Sequence, residues 1–138
     1  MAEPEILKGK LRLPVVGAPL FTISNPELVI AQCKAGIVGS FPSLNARPTS
    51  LLEEWLDQIM SELKSHNRSN PVYPAAPFAV NLIVHRSNNR LEADLELCAK
   101  FKVPIIITSL GAREDVNQAV IGWGGITLHD VINQRFAH

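Results

Sequence analysis

Short apolar runs alternate with stretches of helical period along this chain, and the regularity of the alternation predicts a parallel α/β architecture. The runs are Leu13–Val16, Gly36–Ser40, Phe78–Val84, Val103–Thr108 and Gly125–Leu128. Each is β-branched or aromatic in character and lacks strict polar alternation, which is how a strand buried on both faces reads. Five inner strands, each followed by a helix, are the expected elements.

The helices carry their own signals. Ser24-Asn25-Pro26-Glu27 offers a capping box or a proline in the first turn, and Leu28, Ala31 and Ala35 then share one face until Gly36 ends the helix. In the second, Ser50 stands three residues before Glu53, and Leu52, Trp55, Leu56, Ile59 and Leu63 build a single apolar stripe. The third places Leu91, Leu95 and Cys98 on one face with Asn88 or Asn89 as cap, and the fourth places Val116, Ala119 and Val120 behind Glu114 and Asp115. Asp130 is expected to cap a fifth helix beginning at Val131, inside which the sequence ends at His138, so the chain reads as an interrupted repeat. His66 to Pro77, with Asn67, Asn70-Pro71 and Pro74, reads as the loop entering the third strand.

Composition narrows the class. A chain of 138 residues with 46% apolar and 19% charged residues is expected to form one globular domain over 1–138. Thirteen basic and thirteen acidic residues cancel, which argues against a nucleic-acid partner. No run approaches a membrane span, and the opening lacks the apolar region of a secretory signal, so a cytosolic protein is expected. Cys33 and Cys98 fall in predicted helices at a separation that matches no metal spacing, and read as buried thiols.

In repeated βα units, chemistry collects on the loops after the carboxyl ends of the strands. That rule selects Gly17 to Phe21, Ser40 to Ser43, Asn81, His85, Ser109, Gly111, His129 and Asp130. Asn81 is the odd member, because an amide inside Ala79-Val80-Asn81-Leu82-Ile83 must be hydrogen-bonded if buried, either by neighbouring backbone or by a ligand. His129 closes an apolar run, as a donor to a cofactor ring, a general acid or a polar strand end. Gly122, Gly124 and Gly125 precede a strand instead of opening a helix, so they form no dinucleotide fingerprint, and the usual phosphate-loop, zinc-protease and serine-hydrolase signatures do not occur.

Pro14-Val15-Val16-Gly17-Ala18-Pro19-Leu20, Phe78-Ala79-Val80-Asn81-Leu82 and Gly125-Ile126-Thr127-Leu128-His129-Asp130-Val131, in that order and spacing, resemble the nitronate monooxygenase family, formerly called 2-nitropropane dioxygenases. The resemblance runs from about Leu11 to His138. It implies an FMN-binding (β/α)₈ TIM barrel, here truncated to about its first five βα units. The implied activity is oxidation of alkyl nitronates with O₂ to carbonyl compounds and nitrite, with enoyl or quinone reduction by the same barrel as the alternative.

By the same resemblance, backbone at Ala18, Pro19 and Leu20 lies against the isoalloxazine ring, Asn81 bonds its polar edge and His129 approaches the pyrimidine side. Leu20 stands where methionine is frequent, a swap of similar volume. The family's catalytic histidine and the loops that hold the FMN phosphate are expected beyond His138, so no residue here inherits the base role, and no metal ligand is expected. Little turnover is therefore expected of this chain alone. A non-catalytic fragment that associates through exposed sheet edges is the reading from another functional class.

Overall fold

A computed structural model describes residues 3–137; Met1, Ala2 and His138 lie outside the described residues. Four parallel strands stand in chain order: β1 (Ser40–Pro42), β2 (Ala79–Ile83), β3 (Ile105–Ser109) and β4 (Ile126–His129). Helices α1 (Pro26–Ala35), α2 (Thr49–Ser69), α3 (Leu91–Lys100) and α4 (Glu114–Gly122) precede or connect them. This is the alternation expected from the apolar runs.

Local chemistry explains the helix ends. Asn25 caps α1, its Oδ1 accepting from Leu28 N at 2.9 Å, with Pro26 pre-set in the first turn. Gly36 closes the helix at φ 94°, a left-handed conformation that glycine adopts without Cβ strain. In α2 the predicted cap moves: Pro48 holds the N-cap and Ser50 falls inside the first turn, while Leu52, Leu56, Ile59 and Leu63 are buried as the stripe requires. Trp55 meets Phe41 edge-on, with ring centroids 5.5 Å apart. Arg90 is the N-cap residue of α3; Asn88 instead organises the turn before it, accepting from Arg90 N at 3.1 Å and donating to Ile83 O at 2.9 Å.

Three predicted elements are corrected. The first run, Leu13–Val16, forms only a single parallel bridge between Val16 and Val38. Pro14 has no N–H to give a ladder, and Leu13, Val15 and Val16 remain exposed. The second strand is Ser40–Pro42, beginning where the predicted run ends, because Gly36 belongs to the cap of α1. The expected fifth helix is not seen among the described residues: a 3₁₀ turn at Gln134–Phe136, with Asn133 at its N-cap, follows β4, and the last predicted helix residue, His138, lies outside them.

Strand alternation divides the core in two. Phe41, Val80, Leu82 and Ile106 pack under the helices with Leu52, Leu56, Ile59, Cys98, Val116 and Val120. Val38, Ala79, Ile105 and Ile107 form the second cluster on the opposite face, joined by Leu7, Leu11 and Ile126. Gly39 marks a close approach of α1 to the sheet, since a Cβ there would lie 2.5 Å from Val29 O.

Both cysteines are buried and free. Desolvation pushes the Cys33 thiol up to about 11 from an ordinary 9.0 and raises Cys98 as well, with the Asp94 charge adding to the latter. A raised acid keeps its proton longer in the folded chain than in the unfolded one, so its stabilisation is complete below pH 9.0 and is lost as pH rises to about 11. The urea midpoint of the chain is expected to fall across that interval, and to fall less in Cys33→Ala.

Candidate functional site

The carboxyl ends of β2, β3 and β4 carry a line of polar side chains. Asn81, nearly fully buried, donates from Nδ2 to Ile107 O at 3.0 Å and to Ser109 Oγ at 2.8 Å. Ser109 Oγ in turn donates to Asp130 Oδ2 at 3.4 Å, and Asp130 N binds Thr108 O at 2.9 Å. Register makes this possible, because parallel pairing sets Asn81 beside Ile107 and Thr108 beside His129. Asn81 and Ser109 share the face of Ala79, Ile105 and Ile107, and Asp130 follows β4 in the same alternation as Ile126 and Leu128.

Ile107 O is a pure acceptor, which fixes the amide of Asn81 with Nδ2 toward β3. Among the described residues nothing donates to its Oδ1. Sequence left the partner of Asn81 open between neighbouring backbone and a ligand; the amide hydrogens bond to Ile107 O and Ser109 Oγ, and the carbonyl oxygen has no partner among the described residues.

His129 belongs to the other face. Its Nδ1 lies 2.6 Å from Thr108 Oγ1, and Thr108 is fully buried with no other side-chain partner among the described residues. In the tautomer with the proton on Nε2, the buried Thr108 hydroxyl can donate to Nδ1 and is satisfied; with the proton on Nδ1 its hydrogen has no acceptor among the described residues. Thr108→Val is expected to release that tautomer preference, read from the ¹⁵N shifts of the imidazole, and to cost about 1 kcal/mol of stability.

Ala18, Pro19 and Leu20 occupy the β1 side of the same rim. The segment is tied down by Gly17 N to Val38 O at 2.8 Å and by the Ser40 hydroxyl, which donates to Gly17 O. Leu20 N donates to Ser24 Oγ at 2.8 Å, and Leu20 O accepts from Asn45 Nδ2 at 3.0 Å. With Pro19 lacking an N–H, Ala18 N–H is the backbone donor of these three residues that no described acceptor takes. No hydrogen bond joins Ala18, Pro19 or Leu20 to Asn81 or His129 among the described residues; they share a rim, not a network.

A cavity of 390 Å³ opens beside Asp130, lined by His85, Leu110, Gly111, Ala112, Val131 and Ile132. His85 Nδ1 accepts from Ser87 N at 3.2 Å, which leaves Nε2 as the donor of the neutral ring. Such a volume and its mostly apolar lining suit a small organic ligand. Among the described residues no group of three or more His, Cys, Asp and Glu is placed to hold a metal, and no helix is long and apolar enough to cross a membrane.

Thr108 and Asn45 went unnoticed in the sequence. A hydroxyl ending the Ile105-Ile106-Ile107 run is the signal for Thr108, whereas Asn45 acts through chain segments more than twenty residues away and left no local mark.

FabK from Thermotoga maritima superposes on 99% of this chain and 40% of its own, with a TM-score of 0.78 and 17% sequence identity. A point mutant of the same protein gives 99%, 42%, 0.76 and 15%. The fold is part of a TIM barrel. The chain spans about two fifths of the length of these structures. No family model and no curated protein matches the sequence. Asn81, Ser109 and Asp130 lie on the rim at the carboxyl ends of the strands, where the βα loops of such a barrel converge.

Proposed function

We propose that this rim is the flavin-facing surface of an FMN-dependent oxidoreductase, and that its reaction is reduction of an enoyl thioester or a quinone. The observation that carries the reading is the Asn81–Ser109–Asp130 line, with the open Oδ1 of Asn81, beside the 390 Å³ cavity. The likeness to FabK supports a reductase of this barrel family over the nitronate oxidation implied by the sequence resemblance.

The residues fit the group. The polar edge of an isoalloxazine alternates acceptor, N–H donor and acceptor; Asn81 Oδ1 would accept from that N–H, and the free N–H of Ala18 would face one of the ring's acceptors. Bound FMN supplies the electron-transfer chemistry that protein side chains lack. This chain's residues would orient the ring edge: Ser109 holds the amide of Asn81, while Leu110, Val131 and Ile132 give the cavity beside Asp130 an apolar surface for the ring to cover. His129 stands on the face opposite Asn81 and pairs through Nδ1 with Thr108, so the proposed arrangement gives it no contact with the ring edge.

The FMN-loaded chain is assayed for NADH oxidation on addition of an enoyl thioester or a quinone, and for O₂ uptake on addition of an alkyl nitronate. Stimulated NADH oxidation without nitronate-dependent O₂ uptake is the expected pattern. The opposite pattern assigns nitronate oxidation, and silence in both assays with flavin bound rejects a reaction carried by this chain.

A further inference from the structure

The opposite end of the sheet carries a hollow of 780 Å³ that the rim chemistry does not use. It lies where the chain enters β2 and β3. Its walls come from the second half of α2, from the segment Pro74 to Phe78 before β2, from Phe101, Lys102 and Pro104 before β3, and from Ile6 and Lys10 near the start of the chain. Leu63, Phe78 and the partly exposed Met60 give it an apolar wall.

Charge is what sets this hollow apart. Lys10, Lys64, Arg68 and Lys102 surround it against a single carboxylate, Asp57, in a chain whose thirteen basic and thirteen acidic residues cancel overall. Among the described residues, five cations elsewhere pair with carboxylates, Lys8 with Glu5, Lys34 with Glu62, Arg90 with Asp94, Lys100 with Glu53, and Arg113 with Glu92 and Asp115, whereas Arg12, Arg47, Arg86 and Arg135 do not; what distinguishes the hollow is four cations gathered against one carboxylate. Among the described residues, none of the four around the hollow makes an ion pair or a side-chain hydrogen bond. Arg68 has a structural reason to be cationic, since it lies in the last turn of α2 where positive charge complements the helix dipole. Lys102, next after the C-cap of α3, shares that reason, whereas Lys10 and Lys64 do not.

Lys102 is the most telling of them. It follows the C-cap of α3 at φ 49°, with its N–H on Ala99 O at 3.1 Å and Val103 N on Cys98 O at 2.9 Å. Glycine is the residue that suits such a position, and a side chain there is strained. A lysine therefore holds a backbone conformation that disfavours it, exposed at the mouth of an electropositive hollow, and no protein group receives its charge.

We propose that this hollow binds an amphipathic oxyanion, a carboxylate or phosphate head on an apolar body, at the end of the sheet remote from the rim. The cations receive the head and the wall of Met60, Leu63 and Phe78 receives the body. The volume falls within the range of about 300–1,000 Å³ typical of small-ligand sites.

Dodecanoate, titrated calorimetrically into the chain, is the probe, with dodecyltrimethylammonium as the control of equal chain length and opposite charge; amide chemical shifts locate the site. Binding is expected for the carboxylate and not for the ammonium, with shifts clustered at residues 57–68, 74–78 and 101–104. Lys102→Gly is the decisive variant, because glycine suits the backbone: it is expected to keep or raise the thermal midpoint while weakening dodecanoate by about tenfold, the equivalent of one charge-assisted contact. Lys64→Glu, on the exposed surface of α2, is expected to weaken it further. Equal binding of both amphiphiles, shifts located elsewhere, unchanged affinity in Lys102→Gly, or no binding below about 1 mM would each overturn the proposal.

Discussion

Arg90→Ala is expected to lower the unfolding free energy by about 3–5 kcal/mol, the cost of leaving a buried charge without its partner. The carboxylate of Asp94 is fully buried and lies 3.0 Å from Arg90 Nη2, whose side chain is 19% exposed. Arg90 also donates from Nη1 to Ala46 O at 2.7 Å and from Nη2 to Ser43 O at 3.5 Å, so it pins the segment after β1 to the start of α3. Alanine removes all three bonds and strands Asp94. The double replacement Arg90→Met with Asp94→Leu removes both charges together and is expected to recover most of the loss, because apolar residues of similar volume tolerate such a site. Urea unfolding followed by circular dichroism measures both variants.

The loss should reach the rim as well. Asn45, in the segment that Arg90 holds, binds Leu20 O and Ser24 O at 3.0 and 2.9 Å and receives Thr22 N at 3.0 Å. The path from α3 to the Ala18–Leu20 backbone is therefore Arg90, the Ser43–Ala46 segment, and Asn45. A destabilised Arg90 variant that still folds is expected to show faster amide exchange at Leu20 and Ser24 than at β3.

Asn81→Leu is expected to weaken FMN by about 10- to 100-fold while the chain stays folded. The replacement is close in volume but removes the Oδ1 acceptor and the two hydrogen bonds given by Nδ2. A ring N–H buried against a leucine loses its partner entirely, and an unsatisfied buried donor costs about 1–3 kcal/mol, a range that brackets that fold-change. Ser109 loses the contact from Asn81 but keeps Asp130, so the local damage to stability is expected to stay near 1–3 kcal/mol. Flavin fluorescence titration separates the two effects, since a merely unstable variant would recover its affinity at low temperature.

The sequence made the centre of this sheet easy to read and its flanks hard. β2 and β3 are continuous apolar runs because parallel strands are covered on both faces, and α2 announces itself by a stripe that one helix face must bury. The first run was misread because its composition suits a strand while Pro14 denies it a ladder. The end of the chain was misread because an Asp before an apolar residue signals a cap only when a helix follows. Asn81 stood out as a polar residue in an apolar run. Its bond to Ser109, the line on to Asp130, and the pairing of Thr108 with His129 depend on cross-strand register, which no local pattern encodes. Arg90 and Asp94, four apart, look like an ordinary surface pair, and only the packing of α3 under the β1 loop buries them.

FMN titrated into the purified 138-residue chain, followed by size exclusion with flavin absorbance recorded across the protein peak, tests the central claim most directly. Saturable binding, flavin eluting with folded protein, and loss of both in Asn81→Leu are the results this account expects. Flavin eluting free of a folded, monodisperse chain, or bound equally by wild type and Asn81→Leu, would contradict it.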